Sequence, residues 1–252
     1  MSFKLLEGKS VVVTRASHQN SGLIEALSDA GAKVVAAPAI AIVPPLDGGQ
    51  PLDDALIRLD RFSWVAFTSA NSVAALMARG ARRGVLKRFS HLQIAVVGPT
   101  TAAKVALEMG REPDLIPVRH DGVSLAEAFP NPKPSDRALV PMASDGRTDL
   151  VDGLRDRGWQ VDGVAAYRTV FPSLSRDLVS EAIAADVVTF ASPSAVKGHL
   201  EQTGGKSAAK VVVIGQTTAQ ECERLGVSVT SIAEEQSIEG LVQAVASVAG
   251  QR

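Results

Sequence analysis

The side chains that could do chemistry in this 252-residue chain are mostly small hydroxyls and amides, and they recur in short clusters. Thr14-Arg15-Ala16-Ser17, Thr68-Ser69-Ala70-Asn71, Gly98-Pro99-Thr100-Thr101, Ser192-Pro193-Ser194 and Gly215-Gln216-Thr217-Thr218 each follow a short β-branched run and precede a helical pattern. Ser124 and Ser237 are expected to open two further helices. Taken singly, each cluster reads as a helix cap, because a Ser, Thr, Asp or Asn oxygen accepts a free backbone N–H of the first turn. Taken as a set, several helix N-termini converging on one crevice would make an anion-binding surface of backbone N–H groups. A carboxylate placed there gains ~0.3–1 kcal/mol, or ~2 kcal/mol where partly buried. A polycarboxylate could collect several such contributions.

Three larger side chains join these clusters. Arg15 directly follows the first strand, where a guanidinium is either a surface ion-pair partner or a clamp for a ligand carboxylate; the planar fork favours the clamp. Arg147 stands at a helix start, against the sense of the helix dipole, which points to a ligand or a local acid such as Asp145. Tyr167, the sole tyrosine, reads either as a half-buried strand residue or as a phenol able to give a proton to a leaving hydroxyl. His18, His120, His199 and Cys222 read as structural or solvated.

Other chemistries lack their signatures. Neither Gly98-Pro99-Thr100 nor Gly215-Gln216-Thr217 has the spacing of a dinucleotide fingerprint, and "GGKS" (204–207) lacks the first glycine of a phosphate loop. There is no G-x-S-x-G elbow. One cysteine excludes an internal disulfide, and four scattered histidines argue against zinc. A net charge of −1, a pI near 6.4 and 4% aromatics argue against nucleic acid and against an anionic membrane. Residues 1–9 carry no signal-peptide core, and no apolar run is long enough to span a bilayer. The expectation is a cytoplasmic protein.

The elements that must hold these residues alternate regularly. Apolar runs at 10–14, 33–37, 63–68, 93–97, 113–117, 137–141, 160–165, 186–190, 210–214 and 227–231 read as strands, nearly all separated by helical segments such as 18–30. Such continuous apolar strands imply parallel sheet covered on both faces, with ligands at the strands' carboxyl ends. The pattern also repeats. "VAFTSANSV" (65–73) matches "VTFASPSAV" (188–196), "VVGPTTAAKVALEMG" (96–110) matches "VIGQTTAQECERLG" (213–226), and "LIEALSDAGAKV" (23–34) matches "LVDGLRDRGWQV" (150–161). Two copies of a five-stranded unit account for this. The copies could divide in tandem near 130–134, or be exchanged at the equivalent extended stretches 38–45 and 165–172; the pattern alone leaves both open.

Together the pieces "VVVTR" (11–15), "FTSANSV" (67–73), "VVGPTTAAKVALEMG" (96–110), "YRT" (167–169), "TFASPSAV" (189–196), "VIGQTTA" (213–219) and "SIEGLVQAV" (237–245) resemble the uroporphyrinogen-III synthase family, in its order and over almost the whole chain. The resemblance implies an α/β fold of two flavodoxin-like (Rossmann-like) parallel-sheet domains, internally duplicated and joined by a two-stranded antiparallel hinge. It favours the exchanged division: one domain from 1–37 plus 172–252, the other from 42–166, with linkers near 37–42 and 166–172. The implied activity is that of a hydro-lyase, which cyclises hydroxymethylbilane with inversion of the last pyrrole ring and loss of water. No cofactor or metal is implied. A monomer is expected, receiving the bilane from the preceding deaminase. On this resemblance Tyr167 assists departure of the hydroxyl, while Arg15, Ser69, Asn71, Thr101, Arg147, Ser192 and Thr218 hold carboxylates.

One departure stands out. Met142 occupies a place where relatives often carry arginine, which puts one ligand contact in doubt. The rival readings are a non-catalytic ligand-binding or regulatory protein on the same scaffold, and a nucleotide-using α/β enzyme. Regulators on this scaffold usually bring a DNA-binding segment, and the sequence ends at Arg252 with no basic appendage, so the enzyme is the expectation.

Overall fold

A computed structural model describes residues 5–16 and 20–249. The elements, in chain order, begin with β1 (Ser10–Val13), α1 (Ser21–Asp29), β2 (Lys33–Ala36), β3 (Ala41–Val43) and α2 (Gln50–Ile57). They continue with β4 (Trp64–Phe67), α3 (Ala70–Arg83), β5 (Gln93–Val96), α4 (Pro99–Met109) and α5 (Gly122–Ala128). Next come β6 (Arg137–Ala143), α6 (Asp149–Asp156), β7 (Gln160–Val170), α7 (Arg176–Ala184) and β8 (Val187–Phe190). The last are α8 (Pro193–Thr203), β9 (Lys210–Val213), α9 (Gln216–Arg224), β10 (Ser231–Ile232) and α10 (Ile238–Ala249).

The chain divides into two compact units, residues 1–41 with 169–252, and residues 42–168. The first unit holds a five-stranded sheet in the order β10-β9-β8-β1-β2, all of its pairs parallel. Val11, Val13 and Val187 face α1 and α10 on one side, and Val12, Val188 and Phe190 face the cluster of Ala195, Val211 and Cys222 on the other. Two buried threonines cross-link its centre: Thr14 Oγ1 donates to the Thr189 carbonyl at 2.6 Å, and Thr189 Oγ1 to the Val12 carbonyl at 2.8 Å. At the other end of these strands the Asp186 carboxylate accepts both the backbone N–H and the hydroxyl of Ser10. Gln202 of α8 ties two distant stretches together, its Nε2 donating to the carbonyls of Pro38 (3.2 Å) and Pro172 (2.5 Å).

The second unit holds the order β3-β7-β6-β4-β5, and β7-β6-β4-β5 pair in parallel. One face of its sheet carries Phe67, Leu76, Ile94 and Leu139; the other carries Trp64, Phe129 and Trp159. The rings of Trp64 and Phe129 lie 4.9 Å apart, and those of Phe129 and Trp159 stand edge-on at 5.4 Å. Asp53 on α2 is 3% exposed and is held by Arg79 and Arg83 of α3. Their hydrogen bonds hold its carboxyl well below the usual carboxylate range.

Three expected elements differ. The run 113–117 contributes a single bridge, Ala95 to Leu115. Pro113 and Pro117 lack donors, and the Asp114 carboxylate takes the Ile94 N–H at 2.7 Å, where a strand carbonyl would sit. The run 227–231 shrinks to β10 for a parallel reason: the Thr230 hydroxyl accepts the Val211 N–H at 3.0 Å. The run 160–165 instead extends to Val170. The expected helix at 18–30 is α1, which starts at Ser21; His18 and Ser17 lie outside the described residues.

Candidate active site

In the second unit β4 ends at Phe67, and the chain turns through Thr68 and Ser69 into α3. Ser69 is the N-cap: its backbone is extended, and its Oγ accepts the Ser72 N–H at 3.1 Å. Ser72 Oγ donates back to the Ser69 carbonyl at 2.7 Å, so S-x-x-S closes a reciprocal cap. Ser69 Oγ lies 3.3 Å from Ser72 Oγ and 3.1 Å from the hydroxyl of Tyr167. The Asn71 side chain is also hydrogen-bonded to that hydroxyl. Tyr167 is 8% exposed and packs in the core face with Phe67 and Leu76. Burial raises its phenol above the ordinary value and the nearby Asp145 adds to this, while the bonds with Ser69 and Asn71 pull it back.

An irregularity in β7 delivers Tyr167 to this place. Met142 pairs with Ala165, but the next residue, Ala143, pairs with Tyr167, so Ala166 is an extra residue. Side chains on a regular strand alternate between faces. Val161 packs on one face of the sheet, while Ala166 and Tyr167, although adjacent, both pack on the other. The bulge has turned Tyr167 onto the face of α3. Beyond it, the Ser144 N–H and Oγ both donate to the Tyr167 carbonyl, at 2.8 and 3.2 Å. A cavity of about 160 Å³, lined by Ile42, Pro44, Ala75 and Arg79, abuts Tyr167. Larger hollows, about 580 Å³ beside α2 and about 430 Å³ beside α9, are lined by none of the expected site residues.

The remaining expected residues of this unit lie elsewhere. Thr101 is buried in the first turn of α4, and the exposed hydroxyl of that turn belongs to Thr100. Arg147 is exposed and pairs with Asp149 at the start of α6, where the sequence pointed to Asp145. Ser124 does not open α5: Asp121 does, its carboxylate accepting the Ser124 N–H at 2.7 Å.

The first unit repeats the capping pattern without the phenol. Ser192 caps α8, its Oγ accepting the Ala195 N–H at 3.2 Å and lying 3.1 Å from Ser194 Oγ. Thr218 is buried in the first turn of α9, as Thr101 is in α4, and Thr217 is the exposed neighbour. Gly98 and Gly215 precede those two helices, each under a side chain from the following loop. A Cβ on Gly98 would stand 3.1 Å from the His120 ring, and one on Gly215 would stand 2.8 Å from the Gln236 amide. Ser237 accepts the Gly240 N–H at 3.0 Å and so does open α10. Arg15 is half-buried after β1, has no ion-pair partner among the described residues, and is held below its ordinary pKa by burial.

His199 is fully buried against Phe190, with neither ring nitrogen hydrogen-bonded among the described residues, and burial lowers it to about 4. Cys222 is fully buried, its thiol pushed up to about 11 by burial. Among the described residues no His, Cys, Asp and Glu group could hold a metal ion, and no helix is long and apolar enough to cross a membrane.

Ser72 and Ser144 are not among the residues that the sequence singles out. The S-x-x-S spacing of 69–72 could have revealed the first; nothing local announces the second, because its partner lies across the sheet.

The family model described as uroporphyrinogen-III synthase HemD matches residues 21–243. A uroporphyrinogen-III synthase of Synechococcus elongatus is 31% identical, covering 97% of both chains. One of Chlorobaculum parvum is 27% identical, covering 90% of this chain and 93% of that one. Among solved structures, a mutant uroporphyrinogen III synthase of Thermus thermophilus superposes with a TM-score of 0.67 at 17% identity, covering 97% of this chain and 99% of that one. The Helicobacter pylori uroporphyrinogen-III synthetase gives 0.61 at 16% identity, covering 95% and 99%. At such identities the likeness shows a shared α/β fold.

Proposed function

The chain belongs to the uroporphyrinogen-III synthase family, and we propose that it is a hydro-lyase closing hydroxymethylbilane to uroporphyrinogen III, with inversion of the last pyrrole ring. The observation that carries the chemistry is the Tyr167 hydroxyl held 3.1 Å from Ser69 Oγ at the N-terminus of α3. A buried phenol with a raised pKa keeps its proton at neutral pH and is available as a general acid. It gives that proton to the hydroxyl leaving the bilane. The half-buried Arg15, with no ion-pair partner among the described residues, supports a role in holding a substrate carboxylate, as do Arg147, Ser192 and the first-turn N–H groups beside Thr101 and Thr218.

In this reading the two units are copies of one flavodoxin-like unit, exchanged at linkers near 37–42 and 166–172. The domains are then 1–37 with 172–252, and 42–166. Strand order supports it: β2-β1-β8-β9-β10 corresponds position by position to β7-β6-β4-β5 followed by the Leu115 bridge. Read along the chain of the first sheet, that is the 2-1-3-4-5 order of flavodoxin-like folds. The linkers form a two-stranded hinge. The protein works as a cytoplasmic monomer on bilane delivered by the preceding deaminase.

Product analysis with freshly made hydroxymethylbilane tests this. The bilane closes unaided to the type I isomer, so a protein-dependent excess of type III is the expected result. Type I alone, at the uncatalysed rate and with folded protein, would point to a ligand-binding role.

A further inference from the structure

The Ser69 hydroxyl has one proton and two acceptor positions. One acceptor position takes the Ser72 N–H, and the remaining capacity is shared between Ser72 Oγ at 3.3 Å and the Tyr167 hydroxyl at 3.1 Å. Nothing is left for a substrate carboxylate. Asn71, in the first turn of the same helix, also directs its side chain at the phenol oxygen. The bulge at Ala166 brings Tyr167 to them, and Ser144 fastens it from the far side through the Tyr167 carbonyl.

We propose that Ser69 and Asn71 are positioning residues for Tyr167: they aim its hydroxyl from the N-terminus of α3 and take up the charge left on its oxygen when the proton departs. This rests on Tyr167 being the acid of the proposed reaction. In that step the C–O bond of the hydroxymethyl group breaks, and both electrons leave on oxygen. The oxygen takes the Tyr167 proton and departs as water, while the pyrrole nitrogen lone pair refills the carbon. A neutral phenol and a neutral carbinol thus become a phenolate, a pyrrole-centred cation and water.

The phenolate needs donors, and three are in place. Asn71 supplies an amide N–H. Ser69 can turn its proton from the longer contact with Ser72 Oγ onto the phenol oxygen. The free N–H groups of α3, a helix of 14 residues, place partial positive charge at the same point. Asp145 opposes them. A hydrogen bond to a charged acceptor is stronger than one to a neutral acceptor, so these contacts tighten as the reaction proceeds.

The sole tyrosine makes the proposal directly readable. Isotope-labelled tyrosine gives a single Cζ resonance, and the alkaline phenolate absorbance reports one group. In substrate-free protein, Ser69→Ala and Asn71→Asp are expected to shift that resonance and to move the titration upward. Turnover should fall about tenfold to a hundredfold, with KM within about twofold of the parent. Ser69→Thr, which keeps the hydroxyl and the cap, should restore all three readouts. Should Ser69→Ala fold poorly, Ser69→Gly removes the hydroxyl while leaving a tolerated cap. An unmoved resonance and titration with a raised KM would overturn the proposal and assign both residues to substrate binding. Full turnover by Tyr167→Phe would instead sink the reading of Tyr167 as the acid, and the substrate-free resonance tells the two failures apart.

Discussion

Strand β7, which begins in the second unit, runs for 11 residues, passes through a bulge and carries a tyrosine to the start of α3. In the first unit β2, its neighbour-for-neighbour counterpart, stops after 4 residues, two positions before Pro38. Counting from the matched glycines Gly31 and Gly158, Ile40 stands where Tyr167 stands, and it is buried. The serine caps correspond as well, but Ser69 meets a phenol, whereas among the described residues the Ser192 hydroxyl meets Ser194 and the Ala195 N–H. The difference teaches that the capping grammar is scaffold. What sets the second unit apart, and carries the chemistry proposed for it, is a strand long enough, and bulged enough, to bring a phenol to the cap.

The equivalence of the cores is the first thing to break. Phe67 and Phe190 are matched and both fully buried. Truncating either to alanine should cost about 3–5 kcal/mol. Calorimetry should show Phe67→Ala lowering the transition of the second unit and Phe190→Ala that of the first; a single transition lowered equally by both would mean the units unfold as one.

Acid should separate the units next. His199 is neutral in the fold, lowered from 6.5 to about 4, so the unfolded chain binds its proton first. Its contribution is whole above pH ~6.5 and is lost as pH falls toward ~4, about 3 kcal/mol in all. The second unit's Asp53 is depressed instead, so its contribution persists down to the ordinary carboxylate pKa near ~4 and is lost only below it. Stability measured by denaturant at stepped pH should therefore fall first in the first unit, and His199→Leu should flatten that fall.

The proposed catalytic asymmetry follows. Tyr167→Phe should lower turnover by about a hundredfold while circular dichroism stays unchanged. The smallest effect compares the two caps. Ser192→Ala and Ser69→Ala should each cost ~1 kcal/mol in thermal stability. Only Ser69→Ala should move the tyrosine resonance, whereas Ser192→Ala should show its effect in KM. A tyrosine signal that moved with Ser192 would erase the distinction.

Much of the scaffold is local and so is legible along the chain. Val11–Val13, Trp64–Phe67 and Val187–Phe190 are short apolar runs that can only be strands buried on both faces, and they are. Ser69, Ser192 and Ser237 cap helices because a hydroxyl three residues from a free N–H reaches it whatever lies beyond. The edge runs at 113–117 and 227–231 misled, because the Asp114 and Thr230 side chains displace backbone acceptors, and composition does not record that exchange.

By itself, then, the sequence determined the alternation of strands and helices, the caps, the internal repeat and the resemblance that identifies the family. The tertiary structure alone decided which of the candidate residues meet. Ser69 and Tyr167 are 98 positions apart and touch because β4 and β7 flank β6 in one sheet. The face on which Tyr167 lies was set by one unpaired alanine, since a single extra residue reverses a period of two. Burial of Thr101 and Thr218, the pairing of Arg147 with Asp149 and the half-burial of Arg15 are likewise products of packing, which a linear pattern carries no record of.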